Sequence, residues 1–209
     1  MKRITFTFLA VTFCAVTLIS CKEHKDETDT MVSGFMTGYT DSEGYITVLS
    51  DDFGNQYMVS EKSIRNKPDT LYRLVAVIAL DDHNSARILQ SIYPISYRAP
   101  EETLIPDSLS GNDPIKIESI YIGGGFLNIH VGIMVQKEDT KHSLIYSRLN
   151  HSKKLKFTIH HNAYDDKPVY TKYAYLSIPL SEYGLHKNDT VFLSCNGYEE
   201  DYNYKLIYK

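Results

Sequence analysis

The residue with the most definite chemistry is Cys21. It closes the tetrapeptide Leu18-Ile19-Ser20-Cys21, at the end of an apolar run from Ile4 to Ile19 that follows Lys2-Arg3. A basic start, a short apolar stretch and a small residue ahead of a cysteine form the pattern cleaved by a lipoprotein signal peptidase. Cleavage leaves a thiol that carries diacylglycerol as a thioether. The run falls short of the roughly 20 apolar residues that span a bilayer, and charged sequence follows at once, so it reads as a processing segment. Two or more acyl chains, palmitate among them, at about 0.8 kcal/mol per buried CH₂, then hold the chain on a membrane.

Other residues offer chemistry with less definition. His160 and His161 invite a metal reading, with His130 and His142 as partners. Adjacent strand residues point to opposite faces, so His160 and His161 cannot both reach one ion. Zinc needs three or four converging ligands. The combination left is His130 with one of that pair, such as His161, and Asp165 or Asp166 from the following loop. It competes with histidines that simply hydrogen-bond locally, and no metal or other cofactor is expected. Gly123-Gly124-Gly125 precedes a strand, not the helix a phosphate loop would open, so it reads as a tight corner or bulge. The pairs Asp51-Asp52, Asp81-Asp82 and Asp165-Asp166 lack the spacing of a calcium loop and read as solvated turns. No serine sits in a Gly-x-Ser-x-Gly elbow, no carboxylate pair stands out, and no catalytic residue is expected. A hydrolase would need a pocket of converging His and Asp side chains.

Elements of one kind must position these groups. Removal of residues 1–20 leaves a chain of 189 residues whose formal charge falls from −4 to −6 as Lys2 and Arg3 depart. A mildly acidic chain with no basic stripe argues against nucleic acid and against electrostatic binding to anionic lipid. Cys14 leaves with the signal and Cys21 is lipidated, so Cys195 stands alone and reads as a small core residue. Residues 21–30 form a polar tether. From 31 to 97, alternating segments around Phe35, Tyr45–Ser50, Gln56–Ser60, Leu71–Leu80 and Arg87–Ile95 suit a small five-stranded barrel of the oligonucleotide/oligosaccharide-binding (OB) type. Leu71–Leu80 is near-continuously apolar, as for a strand covered on both faces. Residues 98–114 hold three prolines and read as a linker. From 115 to 209, seven strand-like segments with turns between them predict an immunoglobulin-like β-sandwich. The fold class is all-β.

The carrying residues of a resemblance are Tyr121–Val131 (YIGGGFLNIHV), Lys141-His142-Ser143, Leu155–Ala163 (LKFTIHHNA) with Asp165-Asp166, and Tyr175–Leu180 (YLSIPL). Together with the lipid signal and the strand order, they resemble the NigD-like lipoproteins of Bacteroides and its relatives. This chain departs in having no tryptophan, with Tyr121 where relatives often place one. The resemblance implies an OB barrel followed by a β-sandwich, a location at the outer membrane, and a role in bacteriocin immunity inferred from operon context. It transfers no catalytic residue. Lys22-Glu23 and Lys25-Asp26-Glu27 are either an export signal to the cell surface or an ordinary charged tether. Asp-Ser/Thr-apolar triplets at Thr30, Thr70, Ser108 and Thr190 resemble the O-glycosylation acceptor of that phylum, with Ser108 foremost. Thr70 and Thr190 equally follow turn aspartates entering strands.

Tyrosine is the unusual abundance, with 17 in the chain. Tyr164, Tyr170 and Tyr173 offer amphipathic rings to a ligand, or simply fit half-buried strands. The expected function is non-catalytic: an outer-membrane module that recognises a protein toxin or another envelope protein. The alternative is carbohydrate binding through the OB face or the tyrosine-rich loops.

Overall fold

The computed structural model describes residues 29–62, 65–81, 83–95, 105, 109, 111–149 and 154–209. The expected signal, Cys21, most of the tether, Ser108 and most of the 98–114 linker lie outside these residues. Among the described residues, no helix is long and apolar enough to cross a membrane.

Five strands close a barrel in the order β1-β2-β3-β5-β4: β1 Thr30–Thr40, β2 Ile46–Asp51, β3 Gln56–Val59, β4 Leu71–Leu80 and β5 Ser85–Ile92. Neighbours are antiparallel except β3 and β5. Thr30, expected in the tether, already begins β1. Three of the connections share one local code. Asp41, Asp51 and Asp81 each accept, on one carboxylate oxygen, the amides two and four residues on, at 2.8–2.9 Å. The fourth residue of each loop (Gly44, Gly54, Asn84) has φ of +88°, +91° and +61°. A short carboxylate that mimics a backbone turn, followed by a residue tolerant of positive φ, is what closes such loops. Inside the barrel lie Met36, Ile46, Leu49, Tyr57, Leu74, Ala76, Ile78 and Ala86. β4 is covered fully on one face, by burial of Leu74, Ala76 and Ile78, and in part on the other, where Ala79 is buried, Val75 and Val77 are half-buried and Leu71 is exposed.

Seven further strands form two facing sheets. They are β6 Lys116–Gly123, β7 Phe126–Val135, β8 Ser143–Arg148, β9 Leu155–Asn162, β10 Tyr170–Pro179, β11 Thr190–Cys195 and β12 Tyr202–Ile207. Their orders are β10-β7-β6 and β12-β11-β9-β8, the three-and-four partition of immunoglobulin-type sandwiches. β9 and β11 run parallel, so the larger sheet is mixed. Strict alternation fills the core with Leu127, Ile129, Val131 and Ile133 of β7 against Phe157 and Ile159 of β9 and Val191 and Leu193 of β11. Cys195 belongs to this core, and burial, followed by the charge of Asp201, pushes its thiol up to about 12.

The segment joining barrel and sandwich is anchored at both ends. Ile95 pairs with Leu176 on the edge of β10, and Ile115 pairs with Gly197. Asn112, expected in the linker, pairs with His161.

Candidate functional site

The barrel meets the outer face of the β10-β7-β6 sheet at a buried polar cluster. Arg73 stands on β4 opposite Thr37 of β1, while Asp52 sits in the loop after β2. From the other side come Tyr121, Asn128 and Ser177. These three are register partners, one on each of β6, β7 and β10, so they form a single row across the sheet. Four of the five guanidinium N–H groups are engaged. Its Nε donates to Ser177 Oγ at 3.1 Å and Nη1 to Thr37 Oγ1 at 3.2 Å. Nη2 donates to Asp52 Oδ2 at 2.8 Å and to Asn128 Oδ1 at 2.9 Å. Asp52 Oδ2 also accepts from Tyr121 Oη and Asn128 Nδ2, both at 2.8 Å. Asp52 Oδ1 lies 2.7 Å from Arg73 Nη2 yet has no aligned donor, so its contact with the guanidinium is ionic only.

The ion pair is nearly dry: the Arg73 and Asp52 side chains are 11% and 1% exposed. The guanidinium also lies over the rings of Phe126 and Phe35, its Cζ 4.3 and 5.4 Å from their centroids. Burial, and then its hydrogen bond to Asp52, pushes the Tyr121 hydroxyl well above the ordinary phenol value, so it serves as a donor. The glycine triplet makes this approach possible. Gly124 and Gly125 have φ of +59° and +84°, making a tight β6–β7 turn. A Cβ on Gly124 would stand 2.4 Å from Asp52 Oδ1. Asp52 is therefore no solvated turn residue, contrary to the expectation for its pair; Asp51 is one.

An open cleft of about 580 Å³ adjoins the cluster, with Arg73 and Ser177 at its floor and Leu71, Tyr72, Tyr93, Phe126 and Pro179 around it. Leu71 is 69% and Tyr93 57% exposed, so apolar surface faces water there. Every strong donor of Arg73 but one is already engaged. The cluster can hold two folding units in one geometry and present an aromatic cleft; it supplies no poised nucleophile or base.

The expected histidines separate. His130, on β7, stacks at 4.5 Å and 8° on Tyr175 and lies 5.1 Å from Tyr173. His161, on β9 of the other sheet, instead meets His142: Nδ1 of His142 is 2.9 Å from Nε2 of His161. His142 Nε2 is 3.1 Å from Asp166 Oδ2, which also accepts the Gln136 amide at 2.9 Å. His161 Nδ1 faces the carbonyls of Asp113 and Pro114 and must donate to one, so its Nε2 accepts. His142 Nδ1 is then the donor in the contact between the two rings. Burial, followed by the charge of His142, lowers the His161 pKa, which favours the neutral ring. The amide of Gln136, then burial opposing it, and then His142 leave Asp166 below the usual carboxylate value. Asp166, like Asp52, is thus built in and not a freely solvated turn group, and Asp165, with φ of +60°, turns the chain beside it. Among the described residues, no group of three or more His, Cys, Asp or Glu side chains is arranged to hold a metal ion.

Tyr164, Tyr170 and Tyr173 are all exposed but form no common patch. Tyr164 lies in a turn with φ of +52°, and Tyr170 and Tyr173, three apart on β10, face opposite ways. Thr30 is exposed at the start of β1, Thr70 spends its hydroxyl on the Pro68 carbonyl at 2.8 Å, and Thr190 opens β11 half-buried. Asp69 and Asp189 before the latter two occupy turns.

Residues 98–208 match the model of the NigD-like C-terminal beta sandwich domain, which is more than half of the chain. The chain belongs to the NigD-like family. Among solved structures it is similar to a NigD-like immunity protein from Bacteroides caccae, at 19% identity over 87% of this chain and 98% of that one, with a TM-score of 0.70. It is also similar to a protein of Parabacteroides distasonis provisionally described as toxin-related, at 20% identity, 86% and 94% coverage and a TM-score of 0.70. A third, provisionally described as a lipoprotein, comes from Bacteroides fragilis, at 13% identity, 86% and 98% coverage and a TM-score of 0.64. At such identities the likeness is one of fold. Curated protein sequences gave no match.

The sequence left the junction of this NigD-like chain unread, although it carried signals. Arg73 is the lone cation in an apolar strand, Asn128 breaks the apolar start of β7, and Ser177 lies between Leu176 and Ile178 in the apolar end of β10.

Proposed function

We propose that this NigD-like chain is a non-catalytic recognition module, lipid-anchored through Cys21 at the outer membrane, which binds a protein toxin and so protects the cell. The observation that carries the reading is the aromatic cleft held over the buried Arg73–Asp52 cluster, with Leu71 and Tyr93 facing water. A cleft mounted on a rigid junction costs little ordering when a partner docks, and exposed aromatic residues are the usual anchors of such contacts. The neighbours described as an immunity protein and as toxin-related support a toxin as partner.

Two experiments test it. Deleting the gene should sensitise the host to a toxin from a competing strain, and complementation with Leu71→Glu/Tyr93→Glu should fail to restore protection although the protein accumulates normally. Full protection by that variant would remove the cleft from the mechanism. Separately, Cys21→Ser should release the protein from the membrane fraction; unchanged sedimentation would refute the lipid anchor.

A further inference from the structure

The outer face of the larger sheet, turned away from the sandwich core, carries a second surface. Phe192 on β11 is the register partner of both Lys156 on β9 and Lys205 on β12, so Lys156, Phe192 and Lys205 form one straight row across three strands. Neighbouring strands lie about 4.8 Å apart, which sets the two lysine backbones roughly 10 Å apart with the ring between them. Lys154 adds a third ammonium, its Nζ 5.4 Å from the Phe192 centroid. Two residues along, a parallel row of hydrogen-bonding groups follows: Thr158, Ser194 and Asn203, again register partners. The hydroxyls of Thr158 and Ser194 stand 3.3 Å apart. All six residues and Lys154 line one shallow cup of about 470 Å³, whose lining contains no carboxylate.

We propose that this cup binds an acidic glycan, a sugar chain bearing carboxylate or sulfate groups. Each row matches one part of such a ligand. The Phe192 face offers a flat apolar platform to the C–H side of a sugar ring. The flanking ammoniums meet anionic substituents of that ring and its neighbour, and the hydroxyl and amide row meets ring hydroxyls. The volume is that of a small-ligand pocket. Three cations on one face of a protein whose formal charge is −4 point to a negatively charged occupant. The inference is independent of toxin recognition, which uses the junction cleft on the other side of the sandwich core.

The test uses the detergent-solubilised mature protein and immobilised polygalacturonate, with dextran, poly-glutamate and single-stranded DNA as controls. Binding should favour polygalacturonate over all three. Lys156→Gln/Lys205→Gln should weaken it at least about tenfold and flatten its salt dependence. Phe192→Leu, which keeps apolar volume and charge but removes the ring, should also weaken it several-fold with unchanged thermal melting. The proposal is overturned by equal binding to dextran, by equal binding to poly-glutamate or DNA (a general anion sink), or by full affinity in either variant.

Discussion

Removing the Asp52 carboxylate tests the junction most directly. In Asp52→Ala, Arg73 keeps its charge in a site where its side chain is 11% exposed, and Tyr121 and Asn128 lose their common acceptor. Breaking one half of a buried ion pair costs about 3–5 kcal/mol, against roughly 0–1 kcal/mol for a pair at the surface. For a chain of this size each kcal/mol lowers the melting temperature by about 2–4 °C, so a fall of roughly 6–20 °C is expected. With no tryptophan and 17 tyrosines, urea unfolding is followed by tyrosine fluorescence alongside circular dichroism. Because the cluster bonds barrel to sandwich, Asp52→Ala should also separate one unfolding transition into two. Asp52→Leu/Arg73→Met, which leaves no orphaned charge, should recover most of the stability. A loss below about 1 kcal/mol in Asp52→Ala, or a double variant no better than the single one, would refute a buried, coupled pair.

Gly124→Ala places a methyl against Asp52 Oδ1 at φ of +59°, whereas Gly125→Ala meets open space at φ of +84°. Chemical denaturation should show Gly124→Ala to be the worse of the two, the backbone conformation alone costing each about 1–2 kcal/mol; equal losses would remove the close approach from the account. Acid should destabilise the fold in two stages. Asp41, held down chiefly by the Tyr45 amide, and Asp166, held down chiefly by the Gln136 amide, have folded values below 3.8. Their contribution is therefore full above 3.8 and is lost as pH falls through the folded values. His161, lowered from 6.5 by burial, contributes above 6.5 and loses its contribution as pH falls through its folded value. Asp166→Asn and His161→Gln should each flatten the matching part of a stability-against-pH curve; unchanged curves would count against both assignments.

The strands of the described residues could be anticipated because apolar alternation, or in β4 an apolar run, shows within a few residues. β7 is typical: Leu127, Ile129, Val131 and Ile133 point inward. The junction could not be anticipated in the same way, because its members are far apart in the chain and each has an innocent local reading. Asp52 follows a true turn aspartate, and only register reveals that Tyr121, Asn128 and Ser177 form one row. The lysine row was hidden likewise. Lys156 and Lys205 belong to separate segments of an acidic chain, and no basic run marks them. The separation of His130 from His161 was hidden in the same way, because a local pattern gives no information about which sheet a strand joins.

The three aspartate-closed loops of the barrel have a consequence for how the chain folds. Each pins a connection through contacts within five residues, and such short closures form in microseconds. The β1–β4 seam, which joins the first strand to the fourth, needs a much longer closure and should govern the rate of barrel formation. Every strand of that seam precedes the sandwich in the chain. A polypeptide delivered N-terminus first can therefore complete its barrel before the second half arrives, and then offers the Asp52 carboxylate as a waiting template on which the incoming sheet is seated.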